Sequence, residues 1–145
     1  MAVVHHAPSL SSAPTLRSGD RFLVALCLVT SAAAHVPLIG MHLSEATYIG
    51  VAFIVLAVAF PLMALLLVVR DTARMWEAVA VANALAVLAY LVTRIVALPQ
   101  VADDVGNWTE PMSFPALASE LLALGVALAV VVSSRAGGRV TKPLA

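Results

Sequence analysis

The sequence predicts an all-α fold, an integral membrane bundle of four transmembrane helices with both termini in the cytoplasm. Three observations carry this. The chain of 145 residues is 62% hydrophobic and only 11% charged, and its mean hydropathy is +1.02. A water-soluble domain of that length needs far more charge on its surface. The apolar residues gather into four runs, each near the ~20 residues that cross a bilayer core as a helix. Seven of the eight basic residues (Arg17, Arg21, Arg70, Arg74, Arg135, Arg139 and Lys142) fall on one side of those runs, the side that the positive-inside rule makes cytoplasmic. The expected location is therefore the cell membrane, as a multi-pass protein with the lipid bilayer as its first partner.

Residues 1–19, with Pro8, Ser11, Ser12, Pro14 and the pair His5-His6, have the composition of a disordered cytoplasmic segment. The transmembrane domain is expected over residues 20–135. Its first span, Phe22 to Leu38, is followed by three more and preceded by a polar stretch, so it reads as membrane-spanning rather than as a cleaved signal. The single cysteine, Cys27, lies inside that span; it excludes an intrachain disulfide and a cysteine zinc site, and packs as a small apolar residue. Pro37 is expected to loosen the helix just past His35.

The second span runs from Tyr48, suited to the interfacial aromatic belt, to Val69, and Pro61 inside it predicts a kink. The third, Met75 to Leu98, carries Asn83, read as an interhelical hydrogen-bonding residue, and then Tyr90 and Arg94. The loop Pro99 to Pro111 follows, with Asp103, Asp104, a Gly106-Asn107 turn and Trp108; it could fold down as a cap. Pro115 helps to start the fourth span, Ser113 to Val132, which carries Glu120 and Gly125, the latter read as a close helix approach. Residues 136–145, with Gly137, Gly138 and Pro143, are expected to form a flexible cytoplasmic tail.

The candidate chemistry lies on the other face. Glu45, Asp103, Asp104, Glu110 and His42 collect there with Arg94 as the one cation. Counted inward by helical rise, His35, Arg94 and Glu120 share a depth of roughly 6–12 Å from the outer end. Ionised groups within a bilayer are costly and usually face the bundle interior and pair, so Arg94 and Glu120 are the natural partners. One reading makes His35, Tyr90, Arg94 and Glu120 the lining of an outward-facing polar pocket for a small ligand. A second collects His35, His42, Glu45, Asp103 and Asp104 around a metal ion, with zinc or copper suiting mixed imidazole and carboxylate donors. The bland alternative has His42 capping a loop and His35 bonded to Glu120 or to a backbone carbonyl.

The stretches His35–Phe53, Tyr90–Pro111 and Ser113–Gly125 carry a resemblance beyond composition. With His35-x-Pro37, then His42-Leu-x-Glu45-x-x-Tyr48-Ile-Gly, Arg94-x-x-x-Leu-Pro99, Asp103-Asp104-Val-Gly-Asn-Trp108 and the acidic Glu120 in the last helix, the chain resembles a group of small four-helix integral membrane proteins of actinobacteria, mostly uncharacterised. The resemblance covers about half the chain and implies a bacterial inner membrane and four spans; it points to no established activity.

Three function classes follow. The first is a non-enzymatic membrane protein whose pocket binds a metal ion or small ligand, accessory to a transporter or respiratory complex or acting as a homo-oligomer. The second is a small membrane enzyme working on a lipid or quinone with His35, Glu45 and Glu120 as acid and base. The third is a packing subunit without a site. No nucleophile-and-base motif supports the enzyme, a bis-histidine haem is disfavoured because His42 lies past Pro37, and no phosphate loop or nucleic-acid surface is present. The first class fits best.

Overall fold

A computed structural model of the chain describes residues 15–140 and contains helices and loops without a strand among them. Residues 1–14 and 141–145, His5-His6 and Lys142 among them, lie outside the described residues, whereas 15–19 and 136–140, expected within the loose terminal segments, are helical. Four helical segments are long and apolar enough to cross a membrane: Gly19–Glu45, Thr47–Val69, Ala73–Ile95 and Ser113–Ala136. The first is compound. Helix α1 (Thr15–His35) passes through a 3-10 turn at Val36–Leu38 into the short α2 (Ile39–Glu45). Pro37 therefore does not end the span. Lacking an N–H, it sits at the start of the 3-10 turn, where no donor is needed, while Ile39 N–H bonds back to the Val36 carbonyl. Helices α3 (Thr47–Val69), α4 (Ala73–Ile95) and α5 (Ser113–Val140) follow, and α3 runs on through Pro61.

Helix α1 packs on α3 and α5, and α4 packs on α5, whereas the consecutive helices α3 and α4 touch only sparsely. The buried core combines a few large side chains, Leu28, Phe60, Leu67 and Trp76, with alanines at 32, 64, 80, 86, 123 and 127. Small residues let helix backbones approach where lipid supplies no hydrophobic drive between helices. Large apolar side chains such as Leu26, Val55, Leu65, Leu88 and Val132 are left exposed. A surface of that kind is compatible with a lipid surround and hazardous in water.

One end of the bundle is basic and the other acidic. At the basic end the α3–α4 connection holds Arg70, with Arg74 in the first turn of α4. There the Thr72 hydroxyl caps α4 by accepting from Met75 N–H, Trp76 Nε1 donates to Asp71 at 2.6 Å, and Arg135 reaches Glu77. At the acidic end α2 folds against α3. Gly50 makes this possible, because a Cβ there would stand 2.6 Å from the Leu43 backbone nitrogen. The α4–α5 loop closes over the same end through a small second core of Ala46, Ile49 and Val101.

Two packing expectations are corrected. Nothing lies within 4 Å of a Cβ built on Gly125, so no helix approaches closely there; Gly125 is exposed. Asn83 makes no interhelical bond among the described residues. Its Nδ2 donates to the Val79 carbonyl one turn back, and its buried Oδ1 finds no partner.

Candidate functional site

The site grows from the break between α1 and α2. Within the last turn of α1, Ser31 and His35 are four apart and share a face. His35 Nδ1 lies 2.8 Å from the Ser31 carbonyl oxygen; a carbonyl only accepts, so Nδ1 carries the proton. His42 repeats the device one segment on, its Nδ1 donating to the Leu38 carbonyl at 2.9 Å. The two imidazoles then flank one ring. Phe53 of α3 meets His35 at 4.9 Å and His42 at 4.8 Å between centroids, edge to face in both cases.

Across from α1, Glu120 is two turns into α5 and 3% exposed. Its Oε1 accepts a 2.7 Å hydrogen bond from the buried Ser31 hydroxyl, and His35 Nε2 stands 3.9 Å from the same oxygen, too far for a direct hydrogen bond.

Arg94 does not pair with Glu120. It is 5% exposed, with Nη1 3.0 Å from an Asp104 carboxylate oxygen and Nη2 2.7 Å from Glu110. The reason is where α4 stops. The apolar run continues to Leu98, but α4 ends at Ile95 and Val96 is extended. Arg94 is thus in the last turn, where a cation complements the helix dipole. The loop returns to meet it: Gly106, at φ +80, donates its N–H to the Arg94 carbonyl. Glu110 also accepts from the Ser113 hydroxyl at the start of α5. The Tyr90 ring lies 4.9 Å from the guanidinium carbon and touches Trp108 edge-on. Tyr48, expected in an aromatic belt, donates its hydroxyl to the Pro99 carbonyl at 2.7 Å, tying α3 to the loop.

These groups border a cavity of about 460 Å³, within the usual range for small-ligand sites. Most of its wall is apolar, with Ile49, Ala52 and Leu56 from α3 facing Leu85, Leu88 and Ala89 from α4. It lies along the seam where α3 and α4 part, and Ala52, Leu85, Leu88 and Ala89 are themselves exposed. His35, Tyr90, Arg94 and Glu120 all line it, as do His42, Asp104 and Glu110.

The metal set is less gathered. Glu45 and Asp103 are exposed and do not border the cavity. Among the described residues no three His, Cys, Asp or Glu side chains come together as a metal site requires. Helix α2 directs His42 inward onto Phe53 and leaves Glu45 outside, although the two are only three residues apart.

The sequence does not single out Ser31 or Phe53, and it offers Glu110 only as one of several acids on the outer face. Ser31 had a signal, its position one helical turn before His35. Phe53 looked like any apolar residue of span two, and only the folding of α2 onto α3 gives it two histidine neighbours.

No protein-family model matches the sequence, and neither a curated protein nor a solved structure matches it.

Proposed function

We propose that this chain is a non-enzymatic multi-pass protein of the cell membrane, oriented with the acidic end outward, that binds a small, largely apolar ligand between α3 and α4. The cavity carries the reading: a mostly apolar cleft of about 460 Å³ bordered by His35, Tyr90, Arg94 and Glu120. An intramembrane ionisable residue that faces a cavity marks a functional site more often than a packing site, and His35 and Glu120 are held by specific hydrogen bonds rather than left to find the interface. The sparse contact between α3 and α4 leaves a path from the bilayer to the cavity that avoids water. The seven basic residues on the opposite side support the orientation, and the resemblance to actinobacterial membrane proteins supports a bacterial inner membrane.

Filling the cavity tests this. Ala52 and Ala89 face it from α3 and α4 and take no part in the polar contacts. The protein is transferred from membranes into nanodiscs and examined by native mass spectrometry. The unmodified chain should retain a discrete bound mass that the Ala52→Trp, Ala89→Trp variant lacks. Equal retention by both, or a bare chain in both, would refute ligand binding here.

A further inference from the structure

The hydrogen-bonding pattern around His35 and Glu120 narrows the class of ligand. The Ser31 hydroxyl is already donated to Glu120 Oε1, and the His35 Nδ1 proton is already donated to the Ser31 carbonyl. What faces a newcomer is His35 Nε2 and the Glu120 carboxyl, 3.9 Å apart and not bonded to each other, both on the cavity wall. A single oxygen about 2.8 Å from each atom closes a triangle on that base.

Which oxygen fits follows from counting donors. Suppose the pair holds one ionisable proton on His35 Nε2. The bridging atom must then accept from the imidazolium and donate to the carboxylate. If the proton sits on Glu120 instead, the bridge must accept from the acid and donate to Nε2. With no proton on either, both groups are acceptors and the bridge must donate. In each state the newcomer donates one hydrogen bond, and in two of the three it also accepts one. A hydroxyl does both. A carbonyl or ether oxygen only accepts, and a carboxylate or phosphate only accepts while bringing a negative charge beside Glu120 in a water-poor site.

The remainder of the ligand is set by the wall. From His35 and Glu120 the cavity continues between Ala52 and Leu56 of α3 and Leu85 and Leu88 of α4, along a seam that opens on the exposed apolar surface. A hydrocarbon chain can lie there and pass into the bilayer. Resting on the reading of the cavity as a ligand site, we infer that its occupant is a hydroxyl-headed, chain-bearing lipid, its hydroxyl bridging His35 and Glu120 and its chain leaving between α3 and α4.

Farnesol and oleyl alcohol, each beside its own methyl ether and its own carboxylic acid, serve as probes in nanodiscs, with binding read by displacement of the retained mass or by thermal shift. At least one alcohol should bind about tenfold more tightly than its ether, the scale of one net hydrogen bond in a desolvated site, and more tightly still than its acid. In a His35→Phe, Glu120→Leu variant the alcohol and ether should bind alike, while the Ala52→Trp, Ala89→Trp variant should bind neither. Alcohol and ether binding equally to the unmodified protein would overturn the hydroxyl assignment and leave the ligand site standing. Tighter binding of the acid would overturn it in favour of a carboxyl head. Should no probe bind and no mass be retained, the ligand site itself falls with it.

Discussion

At the scale of single residues, the acidic end is organised by two separate polar clusters on one cavity. Arg94 is held by Asp104 and Glu110, and Glu120 is held by Ser31 beside His35. Their separation makes the Arg94 cluster testable alone. In an Asp104→Asn, Glu110→Gln variant the guanidinium stays buried without a counter-charge. Breaking a buried pair from one side costs about 3–5 kcal/mol, and the low end applies because the two carboxylates are 22% and 20% exposed. Adding Arg94→Met removes the stranded charge, so the triple variant should regain most of the loss. Thermal unfolding of the three proteins in detergent measures this; a triple variant no more stable than the double would mean that the cost was not electrostatic. Glu120 should be indifferent to all of these changes, which a persisting His35–Glu120 response to the alcohol probes would show.

At the scale of elements, three glycines are to be separated by what surrounds them. Gly50 lets α2 lie on α3, and an added methyl would meet the Leu43 backbone at 2.6 Å, which cannot swing aside as a side-chain tip can. Gly50→Ala should cost about 1–3 kcal/mol and weaken ligand retention, because α2 carries His42 against Phe53. Gly106 has open space around it but a φ of +80, so Gly106→Ala pays only backbone strain, about 1–2 kcal/mol. Gly125→Ala meets nothing and should be neutral or slightly stabilising, as alanine is the better helix former. Chemical unfolding of the three variants in mixed micelles should rank them in that order, and a Gly125→Ala loss as large as that of Gly50→Ala would contradict the packing described.

For the whole molecule, the charge asymmetry predicts which way the bundle faces. The acidic end, with both connections folded together by the Tyr48–Pro99 hydrogen bond, should lie outside the cytoplasm. In a Cys27→Ala background, single cysteines at Ser44 and Asn107, both exposed, should react with an impermeant maleimide in intact cells. A cysteine at Thr72, exposed at the opposite end, should react only after the membrane is opened. The reverse labelling pattern would invert the bundle and put the mouth of the cavity in the cytoplasm.

What the sequence determined by itself was the solvent and the architecture. Four apolar runs of spanning length admit little besides four helices, since in lipid each backbone N–H and C=O must be satisfied within its own segment. It also singled out His35, His42, Glu45, Arg94, Asp103, Asp104 and Glu120, because charge and imidazole stand out against an apolar background, and Tyr90 by its place one turn before Arg94. Only the tertiary structure decided who meets whom. Pairing depends on where each helix stops and on which neighbours part, and neither is written in composition. Ending α4 at Ile95 sent Arg94 to the loop acids rather than to Glu120. Continuing past Pro37 as a 3-10 turn and α2 carried His42 onto Phe53 and left Glu45 outside. The gap between α3 and α4, from which the cavity arises, is a property of packing among all four spans, and no single segment encodes it.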